Sequence, residues 1–193
     1  MLLDTARGDR LEGLYVVAGT AGMREGELLG LKWEDLDLDA GKLAVRRSLS
    51  ITKDGPAYEL LKNGKGRSIK LTARAVEVLQ CHKAAQNEER LGLGPLWKDH
   101  GLIFPGHAGQ PMRAWSLTGG PFLRLLKRAG LSERTRFHDL RNTCATLLLG
   151  KSVHPKIVQE LLGHATISIT LDTYSHVLPG MGDQAANVMD EAL

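Results

Sequence analysis

Between Leu43 and Leu71 the spacing of the apolar residues changes, and that change constrains the fold more than any other feature. Upstream, Leu11, Leu14, Val17 and Ala18 recur at helical spacing, which predicts a helix over about 10–21 and, after Gly22, a second over 25–31. Within the interval, Leu43, Val45, Leu49 and Ile51 alternate, which predicts one strand. Residues 57–61 and 67–71 read as two more strands, with Lys62-Asn63-Gly64-Lys65-Gly66 as a glycine-rich hairpin tip between them. Downstream the helical spacing returns. Thr72 is placed to cap a long helix to about residue 89, and Pro121 to open one that stops before Gly130. Leu140, Cys144, Leu147 and Leu148 mark one apolar helix face. Ile157, Val158, Leu161 and Leu162 mark another, between Pro155 and Gly163. Short helices over about 168–173 and 184–192 complete the expectation. The fold class is therefore α+β, mostly α, with a small three-stranded antiparallel sheet.

A chain of 193 residues is long enough for one domain. Only 5% of it is aromatic, so the core must be built mostly from Leu, Val, Ile and Ala. The net charge is +3, but the basic residues are not spread evenly. Lys42, Arg46, Arg47, Lys53, Lys62, Lys65, Arg67, Lys70 and Arg74 face two acids, Asp54 and Glu59, in the same stretch. This suits a polyanionic partner, and it equally suits a solvated basic hairpin. Cys81 and Cys144 stand far apart in helical surroundings, so they predict neither a disulfide framework nor a metal site, and they fit a reducing, cytoplasmic setting. No apolar run is long enough to cross a bilayer and no signal segment is recognisable, so no membrane role is expected.

Four constellations could carry chemistry. In Gly22 to Asp37, GMREGELLGLKWEDLD, Arg24 and Glu27 lie three apart on one face of a helix start, where an ordinary ion pair would also sit. On the hairpin tip, Lys62 or Lys65 could reach into a cleft or simply keep a turn soluble. In RFHDLRNTCATLLL, His138 and Arg141 share a helix face, and an imidazole beside a guanidinium suits a phosphate. In LLGHATISITLDTYSHV, His164 follows a helix end and Tyr174 comes ten residues later, in a chain with three tyrosines. Capping and packing would account for those two singly.

Arginine, hairpin lysine, His-x-x-Arg, Gly-His and a late tyrosine occur here in one order. That order, with the local text of the three boxes, resembles the tyrosine recombinases, the phage-integrase family, from about Arg10 to Leu193. The resemblance implies the helical catalytic-domain fold of that family, acting on double-stranded DNA without cofactor, metal or ATP. Arg24 and Arg141 would neutralise the scissile phosphate and stabilise its pentacoordinate transition state. Tyr174 would attack phosphorus and form a 3′-phosphotyrosyl link, with His138 as its general base. Lys62 would protonate the departing 5′-oxygen, Lys65 being the rival for that role. His164 would donate a hydrogen bond to a phosphate oxygen, and Glu27 would orient its neighbours. Arg46, Arg47, Lys65 and Arg67 are the expected DNA contacts outside the catalytic set. Asn142, beside Arg141, carries no assigned role.

The resemblance further implies that residues 1–193 are a catalytic domain lacking the N-terminal DNA-clamping and arm-binding domains of its relatives. Alone it is expected to be a monomer, and within a full-length protein a homotetramer on DNA, cytoplasmic and associated with the nucleoid. The amphipathic segment 181–193 is expected either to dock on a neighbouring protomer or to pack on its own domain. Three rivals remain at this point. A type IB-like topoisomerase would use a similar set of side chains. A non-catalytic DNA-binding regulator could share the fold. A metallohydrolase would need ligand spacing that His138, His154, His164 and His176 do not show.

Overall fold

Helix α2 (Glu12–Ala21) is the post around which the rest is arranged. Seven of its ten residues are buried, among them Leu14, Tyr15, Val16, Val17 and Ala18, so it is apolar round most of its circumference. Such a helix is stable only inside a core. The computed structural model describes residues 2–61, 66–174 and 189–191. Before α2 lies α1 (Leu2–Thr5), and after it α3 (Glu25–Leu29) and a 3-10 turn over Trp33–Asp35. Five strands follow: β1 (Leu36–Asp37), β2 (Lys42–Val45), β3 (Arg47–Thr52), β4 (Gly55–Leu60) and β5 (Arg67–Lys70). The chain then returns to helix with α4 (Ala73–Leu93), α5 (Ala114–Leu117), α6 (Leu123–Arg128), α7 (Asp139–Gly150), α8 (Pro155–Leu162) and α9 (Ile167–Tyr174). The fold is mostly helical with a small antiparallel sheet component.

The strands differ from expectation. Residues 43–51 are two strands, and the chain carries two sheets. β1, β2 and β5 form a three-stranded antiparallel sheet in that order, with Leu43 opposite both Leu36 and Ile69. β3 and β4 form a separate hairpin, from Arg47 opposite Leu60 to Thr52 opposite Gly55. The break falls at Arg46. Neighbouring residues of a continuous strand point to opposite faces. Here Arg46 and Arg47 both reach the Asp35 carboxylate, at 3.5 and 2.7 Å, so the strand cannot run through. Apolar alternation stays in phase across Arg46 and gives no sign of this. β4 and β5 thus belong to different sheets instead of flanking one hairpin tip, and Lys62 and Lys65 lie outside the described residues.

The helical expectations fare better at their caps. Thr72 accepts a hydrogen bond from the Ala75 amide at 3.2 Å and opens α4. From α4, Gln86 accepts from the Trp33 indole at 2.6 Å and donates to the Leu102 and Ile103 carbonyls, fixing the extended piece over 102–104. Pro121 does not open a helix. It sits inside a π-helical turn over Thr118–Phe122 that joins α5 to α6, so helical structure begins seven residues earlier, at Ala114. Leu147 and Ile157, placed on apolar faces by their spacing, are more than half exposed. Of the helix expected over 184–192, residues 189–191 are described and helical.

Two apolar clusters result. The main core gathers α2, α4, the three-stranded sheet and Phe104, Phe122 and Phe137. A smaller one consists of Ala145 and Leu149 from α7, Val158 and Leu162 from α8, and Tyr174 from α9.

Candidate active site

The C-terminal end of α8 organises the site. Pro155 starts this helix with a fixed φ, and Gly163 ends it at φ 68°. The last carbonyls of a helix have no partner within it and carry the negative end of its dipole, so they favour cations. Three consecutive carbonyls here each receive an arginine. Arg67 Nε donates to Leu161 O at 2.8 Å, Arg141 Nη1 to Leu162 O at 2.8 Å and Arg24 Nη2 to Gly163 O at 3.3 Å. The next carbonyl, of His164, accepts from Gln159 Nε2. Three distant segments, the start of α3, strand β5 and helix α7, are thus drawn to one helix end.

Glu27 provides the balancing charge. Its side chain is 1% exposed and accepts from Arg67 Nη1 and Nη2 at 3.1 and 2.7 Å. It also accepts from Arg24 Nη1 and, reaching back from the third position of α3, from the Arg24 backbone amide, both at 3.0 Å. Burial works to raise this carboxyl, but the bonds and charges of Arg67 and Arg24 hold it below the ordinary glutamate value. Arg141 is 3% exposed and also donates from Nη1 to Gly22 O at 2.6 Å. Burial, then the Arg24 charge, lowers its pKa to about 10. Two guanidiniums bond one carboxylate and a third lies beside them, and this surplus of positive charge suits an oxyanion of phosphate type.

The two histidines are neutral bases in this field. His138 occupies the N-cap of α7, where burial, then Arg141 and Arg136, hold its imidazole below the usual value. His164 is pushed down to about 4 by burial, then by Arg141, Arg24, Arg67 and His138. Its Nδ1 lies 2.8 Å from Thr170 Oγ1. Tyr174, the last residue of α9, is 4% exposed, and its hydroxyl donates to Asn142 Oδ1 at 2.9 Å. Burial raises the phenol above its ordinary pKa, against the pull of Arg141.

Comparison with known proteins places this arrangement. The model of the phage integrase family matches residues 4–180. The chain belongs to that family. A tyrosine recombinase XerC-like protein of Caldanaerobacter subterraneus subsp. tengcongensis is 32% identical, the match covering 97% of this chain and 51% of the relative. The prophage integrase IntR of Escherichia coli K12 is 28% identical over 100% of this chain and 49% of its own length. The chain thus spans about half the length of these curated relatives. Among solved structures, the Tn1549 transposon integrase in complex with a circular intermediate DNA matches with a TM-score of 0.79 at 26% identity, over 98% of this chain and 62% of that one. The catalytic domain of bacteriophage HP1 integrase shares the fold, with a TM-score of 0.60 at 20% identity, over 96% and 88% of the two chains.

In this member of the phage integrase family, Arg24, Glu27, Arg141 and His164 meet at the end of α8. His138 caps the helix that carries Arg141, and Tyr174 lies against that helix. Two of the basic residues expected to face DNA make contacts within the molecule. Arg67 is held by Glu27 and Leu161 O with its side chain 13% exposed. Arg47, 16% exposed, pairs with Asp35 and Glu34. Buried or flanking carboxylates hold both guanidiniums. Arg46 stays 56% exposed. Sequence reasoning assigned nothing to Asn142, Gln159 or Thr170. Of these, only Thr170 had a readable signal, its i,i+4 spacing from Tyr174. Among the described residues no group of three or more His, Cys, Asp or Glu side chains could hold a metal, and no helix is long and apolar enough to cross a membrane.

Proposed function

We propose that this chain is the catalytic domain of a site-specific DNA recombinase that cuts and rejoins strands through a 3′-phosphotyrosyl intermediate. The observation that carries this reading is the convergence of Arg24, Arg141 and His164 on one helix end, with Tyr174 against the helix of Arg141. Arg24 and Arg141 bind the non-bridging oxygens of a DNA phosphate, where fixed donors count most as charge develops. The Tyr174 oxygen bonds to phosphorus as the bond from phosphorus to the 5′-oxygen breaks. The phenol proton passes to neutral His138. Lys62, or Lys65 in its place, gives a proton to the 5′-oxygen. Attack by the 5′-hydroxyl of a partner strand reverses these steps and frees Tyr174, so the link conserves the bond without ATP. Each such proton transfer contributes about 10²–10⁴-fold.

The resting position of Tyr174 fits a guarded nucleophile. Tyr174 is 4% exposed with its hydroxyl bonded to Asn142, and it reaches a DNA phosphate once α9 shifts and that bond opens. Double-stranded DNA is the proposed partner, supported by relatives solved on DNA, such as the Tn1549 integrase. Assembly as a homotetramer on DNA within a longer protein, and residence in the cytoplasm with the nucleoid, follow from the same reading.

The test is a nicked duplex that traps the covalent intermediate, incubated with the wild-type chain and with Tyr174→Phe in the presence of chelator. Adduct with wild type and none with Tyr174→Phe is the expected result. An adduct that persists in Tyr174→Phe would discard Tyr174 as nucleophile.

A further inference from the structure

Thr170 stands apart from four other helical threonines. Thr20, Thr118, Thr143 and Thr173 all donate to the carbonyl four residues back, at 2.7 to 3.2 Å. This local bond is the usual use of a threonine hydroxyl within a helix. Thr170 does not make it. Its side chain is 0% exposed, and its one hydrogen bond among the described residues is to His164 Nδ1 at 2.8 Å.

Burial sets the direction of that bond. Were Nδ1 protonated, it would donate to Oγ1, and the hydroxyl proton of Thr170 would need another acceptor in a place without solvent. The described residues offer none. If the hydroxyl donates to Nδ1, every polar atom is satisfied, as buried groups generally are. The proton of a neutral imidazole then sits on Nε2. Burial, and then the arginines around His164, keep the ring neutral, so one proton and one tautomer are at issue.

We infer that Thr170 is a positioning residue, whose buried hydroxyl donates to His164 Nδ1, fixes the imidazole as its Nε2–H tautomer, and so makes Nε2 the hydrogen-bond donor that faces the scissile phosphate. The phosphate part rests on the recombinase reading above. The tautomer part does not. Thr170 also stands one helical turn before Tyr174 on the same face of α9. The group that orients the phosphate donor and the nucleophile are therefore carried by one short helix.

The experiment is imidazole ¹⁵N NMR on the 193-residue chain without DNA, for wild type, Thr170→Val and Thr170→Ser. His164 signals are identified by their loss in His164→Gln. Wild type should show Nε2–H, Thr170→Val a mixture of tautomers, and Thr170→Ser a return to Nε2–H. Wild type as Nδ1–H, or a tautomer unmoved in Thr170→Val, would overturn the inference. Thr170→Ala replaces valine if the valine variant does not fold. In a second arm, single-turnover cleavage of the nicked duplex should fall about tenfold in Thr170→Val and recover in Thr170→Ser, because a misoriented group costs rate. DNA affinity should stay unchanged. If wild type forms no adduct, the recombinase reading fails, while the tautomer still decides the role of Thr170.

Discussion

Removing the Glu27 carboxylate would strand two guanidiniums beside a third. A buried ion pair contributes little on balance against apolar packing, yet losing one partner alone costs about 3–5 kcal/mol. Glu27→Ala is expected to lose that much in urea denaturation, and Glu27→Gln less, since an acceptor remains. Acid should act in the same direction. His164 takes its proton at about 4 in the folded chain, against 6.5 ordinarily, and His82 and His138 are also depressed. Between those values the unfolded chain binds protons the folded chain refuses, so stability is full above about 6.5 and falls toward 4. The melting temperature should drop from pH 7 to pH 5, by less in His164→Gln. Arg24 and Glu27 were readable as a pair because they are local in sequence, and the pair forms at 3.0 Å. Arg67 was not readable. It sits in a basic run and looks solvent-facing until the fold brings Glu27, forty residues away, against it.

Gly163 and Gly130 separate a backbone requirement from a site requirement at the level of the helix end. Both have positive φ, 68° and 65°. A Cβ at Gly130 would meet nothing within 4 Å, whereas at Gly163 it would lie 2.7 Å from Arg67 Nη1. Alanine at either position should cost about 1–2 kcal/mol for the left-handed backbone. Only Gly163→Ala must also move Arg67, so adduct formation should fall in Gly163→Ala and persist in Gly130→Ala. An equal loss in both would mean that the arginine frame does not depend on that contact. Gly163, Pro155 and Thr72 were legible because terminators and caps act locally. The break at Arg46 and the division of the strands between two sheets were not, since Asp35 causes the first and long-range pairing the second. Nor was the π turn, which takes Pro121 and its neighbouring glycines, residues that ordinarily end a helix, inside one.

Across the whole molecule the site lies where two cores meet. The main cluster holds α2 and the sheet, and the arginines on α3, β5 and α7 extend from it toward α8. The smaller cluster holds α8 to α9 and counts Tyr174 among its five buried members. Composition foretold a core of aliphatic residues, but not that it would divide, nor that Tyr174 would be part of it. The division has a thermal consequence. For Tyr174 to reach DNA, the ring must leave a cluster made otherwise of Ala145, Leu149, Val158 and Leu162, exposing apolar surface. Exposing such surface raises heat capacity. The activation enthalpy of cleavage should therefore grow with temperature, and an Eyring plot of adduct formation should steepen toward the warm end. On the proposed function, keeping Tyr174 in the packing makes cleavage respond to heat as a partial melting does.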